Sequence, residues 1–334
     1  MRLSEYLSDV SFKGTPTASA RVMVQQVVLM TVAVHAAVAM PVAATALWAL
    51  LVLRAYMIFH DCGHRSFFQG FPGAAWWNWI ALHVSAVLCG TPTDWNVGHQ
   101  LHHAHVGNLG QDEYDWGETV FHTRRQFLAL PRGKRLLWRV ARHPVPFFLL
   151  APVLTWYVRM RLPIELRPER RAAYRASDKL ISTAWMALRY GLAARHGILS
   201  VILLGDYLAM TVGVLLFHVQ HVFEGGYVRD ASQWKIRDAA TAGSSRLYVP
   251  KALRFFTLGI EFHHIHHFKP QIPGYMLERV HDGAPASFDD LHTGFRDVPR
   301  LGAREVLRSL AMQCYDEDAR TFVPFPVDVR PKND

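Results

Sequence analysis

Residues 261–267 read EFHHIHH, which places four histidines within five positions near the end of a 334-residue chain that is 51% hydrophobic. Three further histidine clusters come earlier, namely HDCGH at 60–64, HQLHH at 99–103 and HVQH at 218–221. Apolar stretches with few charges separate these clusters. The fold is therefore decided by whether those stretches bring the four clusters to one place.

The composition indicates an integral membrane protein. Only 19% of the residues are charged, and some stretches long enough to cross a bilayer hold almost none of them. The formal net charge of +9 does not indicate nucleic acid, because the arginines lie between apolar segments rather than among exposed aromatic residues. Cys62, Cys89 and Cys314 form no paired framework, which fits a reducing compartment.

The first long apolar stretch, residues 22–59, contains a single fully charged side chain, Arg54. At 1.5 Å per residue this stretch makes roughly 57 Å of helix, about twice the ~30 Å hydrocarbon core, so we expect two spans at about 22–40 and 42–59. The second span then ends at HDCGH, on the side of the N-terminus. A small excess of basic residues before residue 22 predicts that this side is cytoplasmic.

Two shorter apolar stretches predict interfacial helices. Residues 76–89 are rich in tryptophan but too short to cross, so Trp76, Trp77 and Trp79 are expected to anchor at the interface, with an acyl tunnel as their alternative location. Residues 146–158 have basic residues on both flanks, with fourteen Lys or Arg against three acidic residues between 124 and 179. A crossing there would place one basic flank on the wrong side.

The stretch 180–217 predicts spans at about 180–195 and 198–217. Arg189 and Asp206 fall inside these spans and should face other helices, since charge is unfavourable in lipid. Four spans bring every histidine cluster to the cytoplasmic face and leave residues from about 218 to 334 as a cap. We thus expect an all-α, multi-pass membrane protein with one domain, 1–334.

The histidine spacing is typical of metal ligands. His60 and His64 are four residues apart, which places both imidazoles on one helix face about 6 Å apart. In the HxxHH pattern of 99–103 the first two histidines share a face and the third points about 100° away, so the triplet can serve two metals. Residues 263–267 repeat it. With His221 this makes nine imidazoles, whereas one zinc ion needs three or four. Imidazole suits Zn, Cu, Fe or Ni, so the metal stays open.

These motifs carry a resemblance. HDCGH, HQLHH about 35 residues later, HVQHVFE, and HHIHH followed by Pro-x-Ile-Pro-x-Tyr resemble the integral-membrane fatty acyl desaturases, most closely the delta-12-like acyl-lipid branch, over residues 54–278. The resemblance implies a four-span enzyme whose cytoplasmic di-iron centre uses dioxygen and two electrons to insert a double bond into an acyl chain. The implied iron ligands are His60, His64, His99, His102, His103, His221, His263, His266 and His267. His105, His218 and His264 are undecided.

The surroundings of the site can also be anticipated. Metal-bound histidines usually donate their second N–H to a carboxylate or carbonyl, and the candidate partners are Asp61, Asp94, Asn108, Asp112, Glu224 and Glu261. The sequence contains no His-Pro-Gly-Gly heme-binding motif, so we expect a separate electron donor, a ferredoxin or a cytochrome b5-like protein. The basic segment 124–179 would suit such an acidic donor, or equally lipid headgroups. The substrate would be a membrane lipid or acyl-CoA, in a bacterial inner membrane or the endoplasmic reticulum.

Three alternatives stay open. A hydroxylase, ketolase or acetylenic-bond-forming enzyme would share the same boxes and differ in how the acyl chain lies against the metals. A membrane zinc hydrolase is a weaker fit because HDCGH lacks the glutamate of H-E-x-x-H that acts as general base. A metal transporter would place ligands near the bilayer midplane, whereas these lie at the ends of the expected spans.

Overall fold

Helices dominate the fold. The structure is a computed structural model that describes residues 1–110, 121–162, 175–290 and 294–326. In chain order the α-helices are α1 (Leu3–Tyr6), α2 (Pro16–Ala39), α3 (Pro41–Gly63), α4 (Ala74–Cys89), α5 (Pro92–His105), α6 (Arg124–Ala129), α7 (Arg132–Arg142), α8 (Pro144–Val153), α9 (Ala176–Arg195), α10 (Leu199–His221), α11 (Ile236–Ala242), α12 (Lys251–Thr257), α13 (His263–Phe268), α14 (Gly274–Gly283) and α15 (Ala303–Leu310). A π-helical stretch, Leu154–Arg159, continues α8, and 3₁₀ turns cover Val10–Phe12 and Ile260–Phe262.

Three of the described helices, α2, α3 and α10, are long and apolar enough to cross a membrane. Both α2 and α3 begin with a proline at the first helical position, where its missing N–H has no helical partner to lose. Pro41 therefore separates the two helices, as the sequence predicted. The predicted first, second and fourth spans coincide with these helices, although α3 and α10 extend further, to Gly63 and His221.

The predicted third span forms helix α9, but its charged residues keep it out of that apolar set. One of its faces is nevertheless apolar and exposed, and consists of Leu180, Ile181, Trp185, Leu188 and Leu192. Hydropathy alone therefore accounts for three crossings among the described residues, and the fourth remains a prediction.

Buried charges join the long helices to one another. Arg189 of α9 donates two hydrogen bonds to the carboxylate of Asp206 in α10, at 3.0 and 2.6 Å. Tyr190 and Trp48 donate to the same carboxylate at 2.8 and 2.9 Å, and Asp206 is fully buried. Both charged residues thus face other helices, as expected. Arg54 in α3 is also buried, and its guanidinium donates to carbonyl oxygens of Val22 and Phe255 and to glutamine side chains.

The two short apolar stretches that were predicted to lie in the interface form helices, namely α4 and α8 with its π-helical continuation. Trp76, Trp77 and Trp79 on α4 are 60%, 44% and 52% exposed, which favours interfacial anchoring over a tunnel lining. Helix α7, directly before α8, exposes Leu136, Leu137 and Val140 between its basic residues. This arrangement is typical of a helix lying in the membrane interface.

The described residues also form five short strands, four of which follow α10. Strand β1 (His122–Thr123) pairs in parallel with β4 (Cys314–Asp316), which pairs antiparallel with β5 (Thr321–Val323). Strand β2 (Arg246–Leu247) pairs in parallel with β3 (Arg300–Leu301). The all-α prediction was therefore incomplete, because strands of two or three residues leave no periodic signal in the sequence.

The N-terminus packs against the region after α10. The Tyr6 hydroxyl donates to the Val280 carbonyl at 2.5 Å, and the Leu3 N–H donates to the Asp290 carboxylate at 2.8 Å. Leu3 and Tyr6 lie in one apolar core with Leu277 of α14. The segment before α2 and the segment after α10 consequently lie on one side of the helix bundle.

Replacing Asp206 by Asn should destabilise the protein, because the largely buried Arg189 guanidinium loses its ion partner. Breaking a buried pair in this way costs about 3 kcal/mol. The melting temperature of detergent-purified protein should fall clearly for D206N and recover in part for R189L/D206L, which removes both charges. R195L, at the exposed end of the same helix, is the control. Wild-type melting of D206N would show that the pair is not needed.

Candidate metal centre

The histidine clusters come from four separate helices. His60 lies in the last turn of α3 and His64 directly follows that helix, whereas HQLHH forms the end of α5, His221 ends α10 and HHIHH begins α13. All nine predicted ligands meet in two groups. The five-histidine group is His60, His64, His99, His103 and His266, and the four-histidine group is His102, His221, His263 and His267. Within each group one ring nitrogen per residue lies within 4.8 Å of every other.

Each histidine triplet is divided between the two groups, as predicted, but the histidines that stay together are not the ones we expected. We expected residues three apart to share a face, yet His99 groups with His103 and leaves His102 to the other group. His263 and His267 likewise group together. The reason is geometric, since residues four apart are offset by about 40° around a helix and residues three apart by about 60°.

The nitrogen separations match a shared ion. The Nε2 atom of His103 lies 3.0 Å from those of His99 and His266. In the four-histidine group, Nε2 of His263 lies 2.9 Å from that of His221 and 3.1 Å from that of His267. Nitrogens bound at right angles to an ion at ~2.1 Å would lie about 3.0 Å apart. The separations therefore fit imidazoles around a metal.

Hydrogen bonds determine which nitrogen of each ring is protonated and which has a free lone pair directed into its histidine group. The Nδ1–H of His60 donates to the Asp61 carboxylate at 3.1 Å, since a carboxylate only accepts. Nδ1–H of His221 donates to the Gly243 carbonyl at 3.1 Å. Nε2 of both rings is then an unprotonated acceptor. Nε2 of His60 is buried without any hydrogen-bond partner, which would cost free energy unless an ion occupied the group.

Burial also keeps the imidazoles neutral. It lowers the pKa of His99, His103, His263, His266 and His267 well below the usual value, and neighbouring imidazoles lower it further. Neutral imidazole is the form that binds metals. The residues present thus fit a pair of metal ions.

Asp61 is the predicted supporting residue that contacts a site histidine. Besides accepting from His60, it accepts a 2.6 Å hydrogen bond from the Gly274 N–H, which ties α3 to α14. The sequence analysis did not identify the Gly243 carbonyl or Trp95 as parts of the site. Trp95 stacks on the His99 ring at 4.5 Å and donates to the Tyr56 hydroxyl at 2.8 Å. A backbone carbonyl carries no residue-type signal, and a tryptophan one helical turn before a histidine does not by itself indicate a metal site.

The other candidate supporting residues contact groups outside the two histidine groups, or fall outside the described ranges. Asp94 lies 3.9 Å from Lys179, and Glu224 lies 3.9 Å from Arg308. Glu261 accepts from Thr257 at 2.7 Å, and Asn108 accepts from the Gly110 N–H at 2.9 Å. Asp112 falls in the range 111–120, which the structure does not describe.

The undecided histidines have other surroundings. His218 donates from Nε2 to the Ser309 carbonyl at 3.0 Å, and His264 is buried beside the rings of His281 and Phe295. Neither belongs to the two groups, and nor does His105. His35 and His83 are exposed and contact backbone carbonyls of their own helices.

A cavity of about 200 Å³ lies beside the two groups and reaches His60, His99, His102 and His263. Its walls are mostly apolar and come from α3, α5, α8 and α10, with Met57, Val214 and Phe217 among them. An apolar cavity bordered by histidine groups that could hold metal ions is suited to holding an alkyl chain beside them.

The family model described as Fatty acid desaturase matches residues 33–299 of this chain. The chain belongs to the fatty acid desaturase family. This confirms the family predicted from the histidine boxes and makes the chain an oxidoreductase. Its membrane-capable helices agree with that assignment.

Individual relatives are consistent with it. A protein named fatty acid desaturase from Bacillus subtilis (strain 168) is 32% identical over 287 residues, which cover 85% of this chain and 77% of the relative. The sn-1 oleoyl-lipid 12-desaturase of Synechocystis is 26% identical over 239 residues, covering 68% and 63%. The endoplasmic-reticulum omega-3 fatty acid desaturase of Nicotiana tabacum is 24% identical over 311 residues, covering 85% and 74%.

Single substitutions should separate the two groups. H266A removes a nitrogen from the five-histidine group and H102A removes one from the four-histidine group, so bound iron should fall from about two per chain to about one in each variant. Oxygen-dependent turnover should be lost in both while membrane insertion persists. Iron is measured by inductively coupled plasma mass spectrometry, with H35A and H83A as controls. Full iron content in H266A and H102A would remove these residues from the ligand set.

Proposed function

We propose that this protein is a multi-pass membrane di-iron desaturase that inserts a double bond into a lipid acyl chain. The observation that carries the proposal is the pair of histidine groups bordering an apolar cavity. Removing hydrogen from an unactivated methylene requires an oxidant that side-chain acids, bases and nucleophiles do not provide, and a bound iron pair with dioxygen supplies it. In balance, one saturated bond, dioxygen, two electrons and two protons give one double bond and two waters.

The chain's own residues hold and orient the components. The nine grouped histidines are the proposed ligands, five for one iron and four for the other. Asp61 and the Gly243 carbonyl orient the His60 and His221 rings. These hydrogen bonds also make each imidazole a more basic ligand, which donates its free electron pair to a metal more strongly. The apolar cavity walls exclude water from the reacting carbons and keep the alkyl chain beside the groups.

The family match favours desaturation over the other chemistries that the boxes allow. The relatives are named as desaturases, which supports double-bond formation over hydroxylation and argues against a zinc hydrolase or a metal transporter. The electron donor is proposed to be a separate ferredoxin or cytochrome b5-like protein. The exposed basic residues Arg125, Arg132 and Lys134 offer one surface for an acidic donor.

Two observations support α9 as the fourth membrane span. The segments before α2 and after α10 pack together, so the number of crossings between them must be even. Helices α2, α3 and α10 make three, and α9 restores parity. Its Arg189 charge is neutralised by Asp206, which removes the main obstacle to placing α9 in lipid. The basic N-terminal segment then places the histidine groups on the cytoplasmic side.

Single introduced cysteines test this topology, because the native cysteines are buried. His196, in the turn between α9 and α10, should lie outside if α9 crosses the membrane. Intact cells are treated with a membrane-impermeant maleimide. H196C should react as readily as M40C in the α2–α3 turn, while K13C should react only after lysis. If H196C behaves like K13C, α9 does not cross.

The cavity's role can be tested by filling it. Gly213 lines the cavity, and a Cβ added there meets no atom within 4 Å, so a leucine side chain would occupy the space without displacing the protein. G213L should lower kcat/KM on the order of tenfold or more at unchanged iron content, because the acyl chain is displaced from the metals. Gly191 of α9 is equally open but does not line the cavity, and G191L is the control.

The products of the G213L assay are read by mass spectrometry. Loss of two hydrogen atoms from the substrate supports desaturation, and gain of an oxygen atom supports the hydroxylase alternative. Equal activity of G213L and G191L would mean that the acyl chain does not lie in this cavity.

A further inference from the structure

The small sheet of β2 and β3 carries two short helices along the side of the bundle. Strand β2 leads through Tyr248 into α12, and β3 leads through Gly302 into α15. The Tyr248 N–H donates to the Leu301 carbonyl at 2.9 Å and keeps the two connections together. The exposed residues of this assembly, which we call the basic edge, are Tyr248, Lys251, Leu253, Arg300, Arg304, Leu307 and Arg308. Neither histidine group nor the cavity includes any of them.

Helix α12 lies against the membrane-capable helix α3. The Phe255 carbonyl accepts a hydrogen bond from Nε of Arg54 at 3.0 Å, and the Arg54 guanidinium carbon lies 4.3 Å from the centre of the Phe255 ring. Phe256 packs against the apolar core that contains Leu51. Arg54 comes nine residues before the end of α3, which is about 13.5 Å along the helix axis. Helix α12 therefore lies back along α3 from its histidine end.

Helix α15 lies beside the histidine end of α10. The Ser309 carbonyl of α15 accepts from Nε2 of His218 at 3.0 Å. Shortly after α15, the Gln313 side chain donates at 2.8 Å to the carbonyl of Arg142, the last residue of α7. Because α7 has the exposed leucines and basic residues of an interfacial helix, this bond holds the end of α15 at the level of the membrane interface.

The apolar residues of the basic edge are open to their surroundings. Leu307 is 68% exposed, whereas Val306 and Leu310 of the same helix pack in the core beneath it. Leu253 on α12 is 42% exposed and Tyr248 is 53% exposed. Exposed leucine and tyrosine at this level are typical of segments that contact the boundary between headgroups and acyl chains.

The same edge has an excess of positive charge. Its four basic residues have one acidic neighbour within α15, Glu305, whose carboxylate accepts from the N–H before that helix at 3.0 Å. Arg308 lies 3.9 Å from Glu224, while the other three basic residues form no salt bridge with any described residue. The Arg300 guanidinium carbon lies 4.5 Å from the centre of the exposed Tyr248 ring. Unpaired cations at a membrane surface attract anionic headgroups, and an arginine fork matches phosphate geometry.

An acidic protein would match the charges of this edge, but a lipid surface matches its charges and its exposed apolar side chains together. We propose that the basic edge inserts into the membrane leaflet on the histidine side and binds the headgroups of anionic phospholipids. This contact anchors the segment that runs from α12 through the 3₁₀ turn to His263 of α13. It does not depend on the reaction at the metal centre.

Insertion is tested with single introduced cysteines, because the native cysteines are buried. L253C and L307C are labelled with a bimane fluorophore, and the full-length protein is placed in phosphatidylcholine–phosphatidylglycerol vesicles with or without brominated acyl chains, which quench a fluorophore inside the bilayer. V28C, on an exposed position of α2, is the positive control. I236C, 55% exposed on α11, which packs on α13, is the negative control.

Both labels on the basic edge should be quenched about as strongly as the label at V28C, and the label at I236C much less. If L253C and L307C are quenched no more than I236C, the edge does not enter the membrane, and the proposal is wrong. The edge would then be left for a protein partner or a second copy of the chain.

Headgroup binding is tested by removing charge. R300Q/R304Q removes two unpaired cations from the basic edge, and K235Q/R279Q removes two exposed cations elsewhere after α10, so both variants have the same net charge. Native mass spectrometry of the detergent-purified protein compares retained phosphatidylglycerol with retained phosphatidylcholine. Wild type and K235Q/R279Q should prefer phosphatidylglycerol equally, and R300Q/R304Q should lose on the order of tenfold or more of that preference.

Three results would overturn headgroup binding even if the labels are quenched. They are no preference for phosphatidylglycerol in the wild type, a preference that R300Q/R304Q retains in full, and equal losses in both double variants.

Discussion

The structure depends on bringing nine imidazoles from four distant segments into one buried place. Burying an imidazole without a hydrogen-bond partner costs free energy. Here the rings face one another in two groups, and the ring nitrogens within each group lie close enough together to bind one ion. Each of the four helices must therefore have one of its ends at the same level, the C-terminal end for α3, α5 and α10 and the N-terminal end for α13. The long apolar helices set that level, because α3 and α10 both terminate where their histidines enter the groups.

Polar interactions inside the bundle hold those helices in register. Asp206 accepts from Arg189, Tyr190 and Trp48, which joins α9, α10 and α3 through one carboxylate. On the histidine side, Asp61 joins α3 to α14. A shift of one helix along its axis would break these bonds and displace a ligand together with them. The same contacts that stabilise the fold thus position the metal centre.

Much of this arrangement could be predicted from the sequence, because hydropathy and residue spacing are local signals. The helix positions followed from apolar length, eight of the nine grouped histidines followed from three- and four-residue spacing, and His221 followed from the family resemblance of HVQHVFE. The division of each triplet was predicted wrongly, because residues four apart lie closer together around a helix than residues three apart. Trp95 and the Gly243 carbonyl were not identified because only tertiary contacts give them a role. The short strands were not predicted because strands of two or three residues leave no periodic signal in the sequence.

The central claim, two irons held by these histidines, is tested most directly by X-ray absorption spectroscopy at the iron edge of the loaded protein. We expect a first shell of nitrogen at ~2.1 Å, with imidazole scattering beyond it and a second iron nearby. The fit should give between four and five imidazoles per iron, because one group has five histidines and the other four. A shell dominated by sulfur or carboxylate oxygen, or an isolated single iron, would contradict the account.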